Sequence, residues 1–196
     1  MYKNLFLRIK ENIVSKLDGL NKNLSYHSIA HTLDVTKQCE RIAMNENISD
    51  EQDLFLLKTA ALYHDSGFLF TYQNHEEKSC QIFNEDAAEY GFSANSINVV
   101  CGIIMATKIP HTPVTKLEMI ICDADLDYLG REDFFSISNK LQSEFLEYGI
   151  IKNNKEWELM QLNFLTSHRY FTATSLKERN ALKQKHLDAI REAMPG

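Results

Sequence analysis

Three short segments of this chain place histidines and aspartates at the ends of apolar stretches. In Tyr26-His27-Ser28-Ile29-Ala30-His31-Thr32-Leu33-Asp34-Val35, His27 and His31 are four apart, a spacing that puts two side chains on one face of a helix. Ala60-Ala61-Leu62-Tyr63 runs into His64-Asp65, a pair that is costly to bury unless something requires it there. Ile120-Ile121-Cys122 runs into Asp123, Asp125 and Asp127, three carboxylates that repel one another unless a cation or solvent relieves them. Imidazole and carboxylate together are a donor set for divalent first-row metals. A bound ion of that kind lowers the pKa of water and offsets charge on phosphoryl oxygens. Phosphate ester hydrolysis uses both effects. At about 100° per residue, Leu117, Ile120, Ile121, Ala124, Tyr128 and Leu129 form one face, with Asp125 near its middle and Asp123 almost opposite. Asp125 is therefore the inward-facing candidate, and Asp123 the alternative.

Taken together, His31, His64-Asp65 and Asp125 resemble the ordered His, His-Asp, Asp signature of the HD superfamily of metal-dependent phosphohydrolases. The likeness covers roughly residues 26–129. It implies a helical fold in which His31, His64, Asp65 and Asp125 converge on a divalent cation: Mn, Fe, Ni, Zn or Mg. A narrower likeness joins Tyr26-His27-x-x-x-His31-x-x-Asp34-Val35 to a metal-site motif of cyclic nucleotide phosphodiesterases, with Ser28 in place of an Asn. It implies that His27 is the acid to the leaving oxygen and His31 a ligand. Asp65, beside the ion, would also orient or deprotonate water. Ala124-Asp125-Leu126 is similar to another segment of those enzymes. The chain departs from them at Ser66-Gly67-Phe68 and at Lys108, which stands where they carry Asp. His75 and His111 are candidates for a second ion, against a helix-start and a loop histidine. Lys108 is a candidate phosphate contact, and His168 or Arg169 a candidate at the pocket mouth, against solvated charge and an aromatic patch. Trp157 and Phe164 are assigned to the core.

The elements that must position these groups are helical. Prolines are limited to Pro110, Pro113 and Pro195, and the apolar spacing follows steps of three and four. The pattern predicts a helix over Leu5–Leu17, a second over about 26–45, and a third opened by a capping box at Ser49 and Gln52. A loop, 66–74, then precedes helices over 75–90 (stopped by Gly91), 93–106 with Ser93 as cap, 115–129, 132–148, 155–167 and 175–193. The fold class expected is all-α: a single HD-type domain, 1–196, with its core at about 22–150 and C-terminal helices at 153–193.

Composition limits the partners. The chain has 196 residues, 44% of them hydrophobic, and a net charge of −6 without a basic run, which argues against extended nucleic acid and membrane surfaces. Cys39, Cys80, Cys101 and Cys122 are far apart in sequence and read as reduced thiols. Neither a signal peptide nor a stretch of about 18 apolar residues is found, so a cytoplasmic protein is expected. The expected function is hydrolysis of a phosphomonoester or phosphodiester, with a nucleotide as the first substrate class. Two other readings stand beside it: a di-iron oxygenase with His75 and His111 as ligands, and a non-catalytic metal-containing signalling module. A homodimer is compatible with the helical faces.

Overall fold

In the computed structural model, which describes residues 2–194, the described residues form helices and connecting turns with no strand. The helices are α1 (Tyr2–Leu17), α2 (Ile29–Asn45), α3 (Glu51–Tyr63), α4 (His75–Ala87), α5 (Ala94–Ala106), α6 (Lys116–Asp125), α7 (Phe134–Glu147), α8 (Asn154–Ser167) and α9 (Ala173–Ala193). Two 3₁₀ turns, Ser66–Leu69 and Asp127–Gly130, follow α3 and α6. Short polar side chains cap the helix starts: Ser28 for α2, Ser93 for α5, Asn153 for α8 and Thr172 for α9. None of these helices is long and apolar enough to cross a membrane.

α3 is the central helix, with Phe55, Leu57, Ala60, Ala61, Leu62 and Tyr63 all buried. Around it pack Ile9, Ile13 and Leu17 of α1, Val35, Cys39 and Ile42 of α2, and the apolar faces of α4, α5 and α6. Each fully buried Ile or Leu contributes about 1.5–3 kcal/mol relative to exposure. A second apolar cluster joins Tyr26, Leu126, Tyr128, Leu129 and Phe134 to Leu165 of α8 and Leu187 and Ile190 of α9. The C-terminal helices thus cover the turn after α6. Gly130 is required there, because a Cβ would lie 2.3 Å from the Arg179 carbonyl oxygen.

Several boundaries differ from the sequence expectation. α2 starts at Ile29, so Tyr26 and His27 precede the helix, and the shared-face argument for His27 and His31 does not apply. α3 is capped by Asp50, whose side chain accepts from the Asp53 amide, and the capping box sits instead at Thr115 and Glu118 of α6. α4 stops at Ala87, before the left-handed Gly91 (φ 71°). α6 ends at Asp125 rather than 129 because the chain tightens into the 3₁₀ turn.

Candidate metal centre

His64 caps the C-terminus of α3, and its Nδ1 lies 2.8 Å from the Ala61 carbonyl oxygen. With Nδ1–H donating to that carbonyl, Nε2 is the ring nitrogen available as a lone-pair donor. Asp65 follows at the start of the 3₁₀ turn. The Gly67 amide donates to Ser79 Oγ (2.8 Å), which donates to the His64 carbonyl (2.7 Å). The turn lies so close to α4 that a Cβ on Gly67 would meet the His75 carbonyl oxygen at 1.9 Å. His31 sits in the first turn of α2, its amide directed at the Ser28 cap. Asp125 is the last residue of α6, aimed toward the histidines by the end of that helix.

A ring nitrogen of His31, a ring nitrogen of His64 and a carboxylate oxygen of Asp65 lie within 4.8 Å of one another. His31 Nε2 is 3.3 Å from Asp65 Oδ2 and 3.0 Å from Asp125 Oδ1; His64 Nε2 is 3.1 and 3.5 Å from the same two oxygens. Despite these distances, His31 Nε2, His64 Nε2 and Asp65 Oδ2 are buried without a hydrogen bond of acceptable geometry. The three atoms are grouped closely without hydrogen-bonding one another. Such orphaned buried donors are expensive unless they share a partner, and a nitrogen and oxygen set of this kind fits a divalent cation.

Electrostatics agree with that fit. Burial alone would hold the His31 imidazole neutral, but Asp125 and Asp65 outweigh it and raise its pKa to about 9. His64 is raised against burial by the same carboxylates. Burial would raise Asp65 and Asp125 in turn, yet the facing imidazoles hold both carboxyls below the ordinary range. The pocket therefore stores negative charge that protons, or a metal, must balance.

His27 stands beside this group, 6.0 Å from His31 between ring centroids. Its Nδ1 is in very close hydrogen-bond contact with Oε1 of Glu144, a fully buried residue of α7. Glu144 also accepts from the Tyr26 amide (2.8 Å), the His27 amide (3.1 Å) and the Tyr72 hydroxyl (2.9 Å). Burial raises its pKa, but the His27 ring and these amides prevail and lower it. His27 Nε2 is thus the ring nitrogen left for chemistry. The opposite side of Asp65 faces His75, whose Nε2 is 3.5 Å from Asp65 Oδ1 and 3.6 Å from Glu76 Oε1. Phe68 stacks on both His27 and His75, at 4.1 and 4.0 Å.

Other candidates lie elsewhere. His111 Nε2 bonds the Thr107 carbonyl (3.0 Å). Lys108 is spent on Glu77 (2.5 Å) and Asn74 (3.1 Å). His168 is buried against Tyr170 and Lys183, and Lys183 Nζ donates to its carbonyl (2.7 Å). Asp123, fully buried rather than outward, accepts from the Phe171 amide, the Thr172 amide and the Thr172 hydroxyl at 2.7–2.9 Å, so it anchors the start of α9. Glu144 escaped the sequence reading. Its one signal is its place on the inward stripe of α7, three residues after Leu141 and four before Tyr148.

A cavity of about 290 Å³ opens from His27 and Asp125 between the turn after α6, α7 and α8. Leu129, Phe134, Phe145, Trp157 and Phe164 are among its walls; Trp157 is a buried core residue, as assigned, and Phe164 packs, partly buried, against the second apolar cluster. A more polar cleft of about 250 Å³, bordered by Ser28, His31, Asp34, Arg131 and Lys140, lies across Tyr26, Asp125 and Tyr128.

The family model for the HD domain matches residues 28–127, about half of the chain and the stretch that carries His31, His64, Asp65 and Asp125. The chain belongs to the HD-domain family. HD domains are mostly metal-dependent hydrolases, and the His31, His64 and Asp65 group is compatible with that chemistry. Comparison with curated proteins and with solved structures finds no match. His27, Glu144 and all of α7 to α9 lie outside the matched HD segment.

Proposed function

We propose that this HD protein is a metal-dependent phosphohydrolase acting on a phosphomonoester or phosphodiester. The observation that carries the reading is the convergence of His31 Nε2, His64 Nε2 and Asp65 Oδ2, buried and otherwise unpartnered, with Asp125 Oδ1 against both histidines. These four residues would hold the ion. A bound divalent cation supplies Lewis acidity, which makes water acidic near neutral pH and offsets charge on a phosphoryl group.

The chain's own residues supply the rest. His27, held by Glu144 through Nδ1, presents Nε2 to the space beside Asp125 and gives its proton to the departing oxygen. Asp65, flanked by His31, His64 and His75, orients water and accepts its proton. Asp65 Oδ1, His75 and Glu76 would be the donors for a second ion. Compared with the oxygenase reading, hydrolysis is favoured by the position of His111, which faces a backbone carbonyl instead of the metal group.

The test is elemental analysis of protein purified without chelator, beside a His64→Ala, Asp65→Ala double variant, followed by phosphate-release assays on nucleotides and simple esters. About one or two ions per chain, lost in the double variant, and phosphate release dependent on the ion are expected. Protein that stays metal-free and cannot be reloaded would overturn the proposal.

A further inference from the structure

The cavity beside His27 and Asp125 has a chemical character of its own. Of the side chains around it, most are aliphatic or aromatic, and no lysine or arginine lines it. Its polar side chains are His27 and Asp125 at the site end, Tyr26 and Tyr128, Trp157 with one indole N–H, and Gln161 on α8. Gln161 gives one of its N–H groups to Ser138 Oγ, which leaves its carbonyl oxygen and one N–H. An apolar cavity of about 150 Å³ admits benzene, so about 290 Å³ takes an organic group of roughly twice that size. Ile109 and Met160, exposed by 59% and 37%, border the opening.

We infer that the ester's organic half is an uncharged, largely apolar alkyl or aryl group seated in this cavity, rather than a nucleoside or a sugar. The inference rests on the hydrolase reading for the position of the phosphoryl group beside Asp125 and His27. Ribose hydroxyls and base edges carry many donors and acceptors, each of which loses water on entry and needs a partner. The cavity offers too few. An apolar group needs only to leave water, and the aromatic walls reward that. The phosphoryl group then lies at the one end of the cavity where carboxylate and imidazole meet.

Trp157 is the chain's single tryptophan and lines this cavity, so its fluorescence reads occupancy without any turnover. The experiment titrates the full chain, reconstituted with Mn²⁺, with n-alkyl phosphonates of two to eight carbons. An ω-amino alkyl phosphonate and a nucleoside 5′-phosphonate serve as comparisons. Affinity is expected to rise by up to about fourfold per methylene until the cavity fills, with the ω-amino and nucleoside compounds binding no better than the ethyl one. Leu141→Asn, at a half-buried wall position, is expected to flatten the chain-length dependence while metal content is unchanged. Affinity independent of chain length, or nucleoside phosphonate binding tightest, would overturn the inference, and phosphate release from nucleotides would then leave the hydrolase reading standing. A chain-length dependence in a protein that releases phosphate from no ester would support the apolar cavity and overturn the hydrolase reading.

Discussion

Glu144 accepts from two backbone amides, an imidazole and a phenol while fully removed from water. Those donors are what keep a buried carboxylate ionised, and the ionised form is what fixes the orientation of His27. Turnover in His27→Ala is therefore expected to fall by about 10²–10⁴-fold with metal content at the wild-type level. Glu144→Gln, which removes the charge but keeps the shape, is expected to lower kcat less and to move the alkaline limb of the pH–rate profile to lower pH, because an acid must hold its proton to act. Metal loss in His27→Ala would make His27 a ligand. The two α6 aspartates separate in the opposite way. Asp125→Asn should lower metal content. Asp123→Asn should keep the metal but cost about 1–3 kcal/mol in urea unfolding, because it weakens three bonds at the start of α9. Of these residues, His31, His64, Asp65 and Asp125 were legible in the sequence because each ends or opens an apolar run. Glu144 was not, since a lone glutamate in an amphipathic helix looks like any solvated one until its partners are in place.

At the level of elements, the helices themselves were read from apolar periodicity, and the errors fall where tertiary contacts decide the end. α6 stops at Asp125 because the following turn must pass under α9, information that no local pattern contains. Tyr26 and His27 carry a motif that suggests a helix, but Glu144, 118 and 117 residues away, takes both of their amides. The turn after α3 is the tightest junction. Gly67→Ala is expected to cost at least about 3 kcal/mol, since a backbone carbonyl rather than a flexible side chain occupies the Cβ position. Thermal unfolding would measure it, and metal content should fall with it because the turn carries Asp65. A fall in melting temperature of less than a few degrees would mean that α4 can move away from the turn.

For the molecule as a whole, burial of basic groups adds a pH dependence separate from the metal group. Burial holds His168 down to about 3, with Lys183, His111 and Arg169 adding to the effect. The folded pKa lies below the ordinary value of 6.5, so the associated stability is present above pH 6.5 and lost as pH falls toward 3. Between pH 6.5 and 5, this residue alone is expected to lower unfolding free energy by up to about 1.4 kcal/mol per pH unit. His168→Gln should flatten that slope in denaturant titrations; an unchanged slope would assign it to other groups. The division of labour across the fold has a practical consequence. Most of the candidate metal group is held by the cluster around α3, whereas much of the wall of the adjoining cavity belongs to α7 and α8. On the proposed reading, a library restricted to Leu141, Phe145, Met160 and Phe164 would retarget the protein toward new esters without disturbing the ion, and a change of ion could be sought without redrawing what the protein accepts.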